Sequence, residues 1–561
     1  MAEKDITATE LTHVESVGVD KKDFVYDEEV IMKSPFDDFG AWKTASLFRY
    51  ATFIALVAAF SACADGYQIG MTGNIVANAG FIKQYGSDYN AKGDLILAAD
   101  RVAAWGGVQS AGQGFGMISM HFVADRFGRK ISFFSLWVVL VAGVACETFG
   151  RIWQTWLLAK LFSGFAVGSV QFLTGSYIAE ISPARIRGFL LIFYSIWYGI
   201  GQLFATLGLK LLKDRDPYNY LDLIYSEWAM VGIMFMVYLY IPESPYWCAT
   251  HGFHDRGRAI IDRLHGRIDG YDVDFHYSIV RRTVEMEQKA ARELHGERKS
   301  FWQDILDTRE IFYGVNGFRT LVAFMPAATQ QLTGLQVLSS YSSYFAQLAA
   351  FADPFMFTLL LSIVAIVTTI ICAVVVDFVG RRNLFLGSTL VIWCCLMIIG
   401  GLGLMPERSH SMNQLTVFFS LVWRMGSTVL GDLGWSYVAE TGSMRLRAKT
   451  AGFSAAGGVC FGLIFSTTVP YMINAKYANW GLKTAFFFAG VGAPFCLGAI
   501  FIMPDTSRRT AAELDEMFEK KIKPWRFRSY VTDAQRALEA ERERVGTNDP
   551  AAVIAAAARE S

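Results

Sequence analysis

Charge is scarce along this chain and shows no bias. Of 561 residues 18% are charged, with 51 basic residues against 51 acidic ones. A balanced chain lacks the single-sign field that a nucleic-acid partner requires, so none is expected. Histidine is equally sparse. The eight present sit mainly in polar stretches (His251, His254, His265, His276, His295), without metal-ligand spacing, and no phosphate-cradling glycine loop accompanies them. An enzyme is therefore the least favoured class, and neither a metal nor a cofactor is expected. Seven of the eight cysteines (Cys63, Cys146, Cys372, Cys394, Cys395, Cys460, Cys496) fall inside apolar runs and Cys248 just after one. They read as small packing residues rather than a disulfide framework. The first residues, MAEKDITATE, lack the basic-then-apolar layout of a cleaved signal peptide, and no Asn-x-Ser/Thr sequon occurs.

What the chain has in abundance is apolar sequence, 53% of its residues, gathered into long uncharged runs. A bilayer core about 30 Å thick takes roughly 20 apolar residues per helix. Runs near that length recur at 47–71, 102–122, 131–149, 154–178, 189–209 and 227–241, then at 317–345, 353–376, 383–403, 414–438, 449–474 and 484–503. This predicts an all-α membrane protein of twelve transmembrane helices in two six-helix halves. The expected divisions are an N-terminal tail (1–46), a first half (47–242), a helical linker (243–316), a second half (317–503) and a C-terminal tail (504–561). Lys and Arg cluster at one set of helix ends and in the linker, which places both termini and the linker in the cytoplasm.

The halves repeat each other. Asp125-Arg-Phe-Gly-Arg-Lys130 returns as Asp377-Phe-Val-Gly-Arg-Arg382, an offset of 377 − 125 = 252. Ala179-Glu-Ile-Ser-Pro-Ala-Arg-Ile-Arg187 returns as Ala439-Glu-Thr-Gly-Ser-Met-Arg-Leu-Arg447 at 447 − 187 = 260, and Pro242-Glu-Ser as Pro504-Asp-Thr at 504 − 242 = 262. Three landmarks in one order indicate a duplicated six-helix unit, as in transporters with two pseudo-symmetric halves around a central site. Each motif sits where a span meets the cytoplasm. Its glycine permits a tight turn, and its carboxylates and guanidinium groups pair across helix ends. Asp125, Arg129, Glu180, Arg187 and Glu243, with Asp377, Arg381, Glu440 and Arg447, are therefore expected to form a cytoplasmic gate that latches the halves and breaks on inward opening.

This set resembles the sugar porter family of the major facilitator superfamily over roughly residues 60–520. It includes Gly164-x-x-x-Gly168, Tyr177-x-x-Glu180 with Arg187-Gly188, Pro242-Glu-Ser-Pro245, Gln330-Gln331-x-Thr-Gly334, Trp435-x4-Glu440 and Pro504-Asp-Thr with Glu513-x-Asp515-x-x-Phe518. Three segments look like fungal α-glucoside (maltose-type) permeases: Trp197-x3-Gly201-Gln-Leu-Phe204, Tyr341-Ser-Ser-Tyr-Phe345 and Pro470-Tyr-Met-Ile-Asn474. The resemblance implies alternating access and a sugar held near the bilayer midplane by Gln330, Gln331, Gln336 and Trp435, with Ser195 and Tyr341 as further contacts. It also implies a monomer in the plasma membrane whose partners are a sugar, a proton and the lipid bilayer. A facilitative uniporter, a carrier of a polyol or other non-sugar solute, and a non-transporting sensor remain open.

The chain departs from that family at informative places. Ser195 stands where the family has Gln, and Ala455-Ala456 where it has a polar and aromatic pair, which leaves room for a disaccharide. Symporters of the family carry Asp in the first span and Arg in the fourth; here these are Gln68 and Lys160. Asp65 lies one turn earlier than Gln68, so Asp65 with Lys160 reads as a relocated proton switch, and Asp432 beside Arg424 as a second candidate.

Overall fold

A computed structural model describes residues 41–536 apart from 90–92, 184–185, 267, 269–270, 296–307, 349–352, 406–408, 443–445, 475, 508, 510 and 533–535. Twelve spanning helices follow one another: α1 (Arg49–Ala77), α2 (Ala99–Phe127), α3 (Arg129–Phe149), α4 (Trp153–Ile181), α5 (Arg187–Arg215), α6 (Leu221–Tyr240), α7 (Gly314–Leu332), α8 (Pro354–Val379), α9 (Arg381–Leu402), α10 (His410–Thr441), α11 (Arg447–Ile473) and α12 (Thr484–Ile502). Several outrun the apolar stretches that announced them. Helix α10, for instance, continues through polar turns at both ends of 414–438. The run 317–345 is not one helix. It stops at Leu332, turns at Gly334 with a φ of 90°, passes through a π-helical turn Gln336–Ser340 and resumes at Ser342–Leu348.

Nine helices are long and apolar enough to cross a membrane by composition among the described residues. Helices α2, α7 and α10 fall outside that set and carry polar side chains along one face, amides on α2 and α7 and the ions Arg424 and Asp432 on α10. That face looks onto the space between the two halves. Within the first half α1 packs on α5, and α2 and α3 pack on α4; within the second α9 packs on α10 and α12, and α7 on α10 and α11. The halves meet along α2 against α11 and α5 against α8. Lipid is as apolar as leucine, so close packing and internal hydrogen bonds hold such a bundle. The glycines Gly164 and Gly168 of α4 show how: an added Cβ would strike the backbone carbonyls of Gln109 and Gln113 on α2.

The linker contains the helices Pro245–Thr250, His254–His265 and Val273–His295. Of the tails, 1–40 and 537–561 lie outside the described residues. The helix Ala511–Glu519 folds back on α7, where Arg319 pairs with Asp515. The linker and this tail helix lie on the same side of the bundle, called here the terminal side; the opposite side is the far side.

Candidate functional site

A cavity of about 350 Å³ lies between the halves. Its amides come from several helices: Gln109 and Gln113 from α2, Gln171 from α4, Gln202 from α5, Gln330 and Gln331 from α7, and Gln336 from the π turn. Tyr194, Ser195 and Tyr198 of α5 and Trp435 of α10 also line it. Trp435 is 59% exposed, an unusual state for a large ring inside a bundle, and one that leaves its face free for a ligand.

The expected sugar contacts therefore share one cavity. They are not equally free. Gln330 donates its amide to the Ser427 carbonyl at 2.9 Å, bracing α7 against α10. Gln336 donates to Gln331 at 3.4 Å. Tyr341 is buried and donates to the Ser466 carbonyl at 3.0 Å, so its hydroxyl supports α11. Ser195 and Ala455 line the wall, and so do the bulkier Tyr194 and Tyr198. Gln109, Gln113, Gln171, Tyr194 and Tyr198 were missed in the sequence. Their signal was a lone polar or aromatic residue repeating at i, i+4 in an otherwise apolar span, as at 109 and 113 and at 194 and 198.

The proton candidates separate. Asp65 faces the cavity and accepts from the Tyr194 hydroxyl at 2.7 Å and from the Gln171 amide at 3.1 and 3.3 Å. Asp432 faces the same cavity, and its Oδ2 is buried without a hydrogen-bond partner among the described residues. Lys160 is elsewhere. Its ammonium is fully buried in the first half and pairs with Glu147 at 2.7 Å, while donating to Thr72 at 3.0 Å and lying over the Trp156 ring. Gln68 joins this cluster and donates to Glu227. The expected Asp65–Lys160 pair does not exist. Residues 65 and 68 lie only about 60° apart around a helix, so spacing did not exclude the pair; Glu147 captures the lysine instead. Glu147 and Glu227 were overlooked, although each is a lone acid in a long apolar run.

The terminal-side motifs pair within each half. Arg129 binds Glu180 at 2.7 Å through Nη2, and reaches Asp125 at 3.4 Å. Glu243 accepts the backbone N–H groups of Arg129 and Lys130 at 2.7 and 3.1 Å, capping α3 from a distant segment. Gly128, with a φ of 95°, makes the approach possible. In the second half Arg381 pairs with Glu440, Gly380 has a φ of 89°, and Asp505 sits where Glu243 does. Arg187 does not pair with Glu180, and its buried Nε has no hydrogen-bond partner among the described residues. Arg129 has taken the carboxylate. The side chains of Asp377 and Arg447 lie outside the described residues.

Contacts between the halves concentrate instead at mid-depth and on the far side. Asn74 accepts from the Ser342 hydroxyl and the Ser343 amide at 3.1 and 2.8 Å. Lys210 and Lys213 at the end of α5 pair with Asp353, the N-cap of α8, at 2.7 and 3.0 Å, and Lys476 pairs with Asp88 at 3.1 Å. This far-side clasp has no counterpart in the repeated motifs. Among the described residues no cluster of His, Cys, Asp and Glu has the form of a metal site.

Comparison with known proteins agrees with this architecture. The chain is 24% identical over 489 residues to the MFS transporter fmqE of Aspergillus fumigatus, spanning 85% of this chain and 88% of that one. It is 25% identical over 506 residues to the maltose permease MAL31 of Saccharomyces cerevisiae, spanning 87% and 78%. The inward-open xylose transporter XylE from E. coli superposes with a TM-score of 0.63 at 18% identity, spanning 83% of this chain and 99% of that one. The sequence profile described as "Sugar (and other) transporter" matches residues 54–518. With twelve helices in two packed halves around a shared cavity, the chain belongs to the sugar (and other) transporter family of the major facilitator superfamily.

Proposed function

We propose that this protein carries a sugar across a membrane by alternating access, as a proton-coupled importer. The observation that supports it most is the cavity itself. It sits where the halves meet, its polar wall is mainly amides and hydroxyls, and Trp435 presents an open ring. Sugars offer hydroxyls that both donate and accept and an apolar CH face that stacks on indole, which matches that wall. Relatives that include a yeast maltose permease favour the same reading.

The contacts between the halves on the far side, and the terminal-side motifs that pair only within each half, favour an inward-facing state, with the termini in the cytoplasm by the Lys and Arg bias. Asp65 and Asp432 are the coupling candidates that reach the cavity. Arg129, Glu180 and Glu243, with Arg381 and Glu440, hold helix ends rigid while the halves rock. A monomer in the plasma membrane completes the proposal.

The test is uptake of radiolabelled maltose, cellobiose, lactose, glucose and xylose in a transporter-deleted yeast, with and without a protonophore. Saturable uptake that collapses with protonophore supports the symporter, and Asp65→Asn is then expected to lower accumulation at least tenfold. Uptake that equilibrates regardless of protonophore makes the protein a uniporter. No uptake of any sugar despite surface expression defeats the proposal.

A further inference from the structure

Arg424 is the ion in the cavity that the sugar reading leaves without a task. It lies midway along α10, is 93% buried by its 7% exposure, and lines the cavity wall. Its Nη2 donates to the Gln202 side chain at 3.0 Å, and Nε has no hydrogen-bond partner among the described residues. No carboxylate stands within ion-pair distance of it among the described residues. The two acids of the cavity are engaged or remote. Asp65 is held by Tyr194 and Gln171, and Asp432 lies eight residues on, roughly 12 Å along the helix axis. Glu147, buried in the first half, is spent on Lys160. An unpaired cation at membrane depth is costly and marks a functional site by default.

The surroundings of Arg424 repeat the pattern. One turn along α10, the Ser427 hydroxyl is buried without a hydrogen-bond partner among the described residues, and on α2 the buried Gln109 Nε2 also lacks one among them. Both line the same cavity. On its other side Arg424 borders a void of about 10 Å³ beneath the far-side contacts, shared with Asn74, Thr206 and Ser362. The guanidinium therefore forms the floor of the cavity, at the end closed by the far-side clasp. Unused donors thus line this cavity together with Arg424, and a neutral sugar hydroxyl would satisfy one of them. A carboxylate, acceptor-only and with about four lone-pair sites, fits the set.

We infer that Arg424 anchors the carboxylate of an acidic substrate, so that the preferred cargo is a sugar acid, a polyhydroxylated ring or chain bearing one carboxylate. The hydroxyls then meet the glutamines and Trp435 nearer the mouth. This rests on the transport reading above and narrows its substrate class.

The test compares D-glucuronate and D-gluconate with D-glucose and maltose in the same yeast expressing the full chain, by uptake and by competition. The expected result is that the wild type takes up an acid, or that an acid competes with neutral-sugar uptake. Arg424→Gln should then lower the acid-to-neutral ratio of kcat/KM by about 10- to 100-fold, the scale of one lost charge-assisted contact, with Arg424→Lys recovering part of it. Competition in the wild type needs no variant and stands even if Arg424→Gln misfolds. Neutral-sugar uptake with no acid uptake or competition overturns the inference and leaves the transport reading intact. An unchanged ratio in Arg424→Gln overturns it too. Failure to move either class defeats both.

Discussion

The two halves carry the same motifs at their terminal-side helix ends but differ at mid-depth. Applying the motif offsets, Glu147 of α3 corresponds to residue 147 + 252 = 399, Lys160 of α4 to 160 + 260 = 420, and Glu227 of α6 to 227 + 262 = 489. Those positions hold Ile399, Ser420 and Ala489, all buried. One half thus seals its middle with two carboxyls, an ammonium and the Gln68 amide, and the other with apolar and small side chains. Both packings work as scaffolds, so the ionic version is not needed to build a six-helix unit. Buried ion pairs often add little stability over an apolar replacement, whereas breaking one is expensive. The difference teaches that the repeated residues serve construction, and that the buried ions of the first half are an addition the six-helix unit does not require.

The largest expected effect comes from breaking the ionic core alone. Lys160→Met leaves two buried carboxyls without their cation and should destabilise the protein by about 3–5 kcal/mol, read as a lost thermal transition in detergent and loss of surface expression. Rebuilding the first half as the second, with Glu147→Ile, Lys160→Ser and Glu227→Ala together, should restore most of that stability. The triple variant should also flatten the pH dependence of uptake. A triple variant as unstable as Lys160→Met would show that the halves are not interchangeable in packing.

The terminal-side motifs offer the converse test. Arg129→Ala and Arg381→Ala each remove a charge-assisted pair within one half, so each should destabilise by about 1–3 kcal/mol, with matching shifts in melting temperature. A gap between the two well above that range would mean that the copies have diverged in role. The smallest effect belongs to the far-side clasp, since partly exposed ion pairs are worth about 0.2–1 kcal/mol. Asp353→Asn should speed labelling of Thr206→Cys by an impermeant maleimide up to about fivefold. Burial alone would raise the Asp353 carboxyl, but hydrogen bonds from Lys210 and Lys213 outweigh it and hold it at about 2. A depressed carboxyl stabilises above its ordinary value near 3.9 and loses that contribution as pH falls through about 2. The ratio of labelling rates between Asp353→Asn and its parent, in which the thiolate fraction cancels, should accordingly stay flat from pH 8 to 5, and a change inside that window would identify a different clasp residue.

Apolar runs were enough to count the spans, because the thickness of the bilayer sets a length that composition must meet. Helix ends and breaks were harder to see: the polar turns that finish α10 look like loop, and the turn at Gly334 interrupts an unbroken apolar run. The chemistry of amides and an indole fits a sugar, and Gln330, Gln331 and Trp435 were legible as site candidates through the family resemblance. Their division of labour was not, because only packing reveals that Gln330 braces Ser427 while Trp435 stays open. Lys160 shows the same limit. A charge in a span signals a partner, but sequence spacing along α1 could not distinguish Asp65 from Glu147 on a different helix. The far-side clasp left no trace in the repeats, as its lysines and aspartates belong to loops and helix ends that the two halves do not share.

The polar faces of α2, α7 and α10 also bear on how the chain is made. On the insertion scale a central Asp or Arg costs about 2.5–3.5 kcal/mol, and α10 carries both Arg424 and Asp432. Such a segment enters lipid poorly as an isolated helix emerging from the ribosome. Its apolar neighbours α9 and α11 must hold it at the translocon until Gln202, in a helix synthesised more than two hundred residues earlier, meets Arg424. Biogenesis of the second half thus waits on the first, and an isolated C-terminal half should be retained and degraded rather than exported to its membrane.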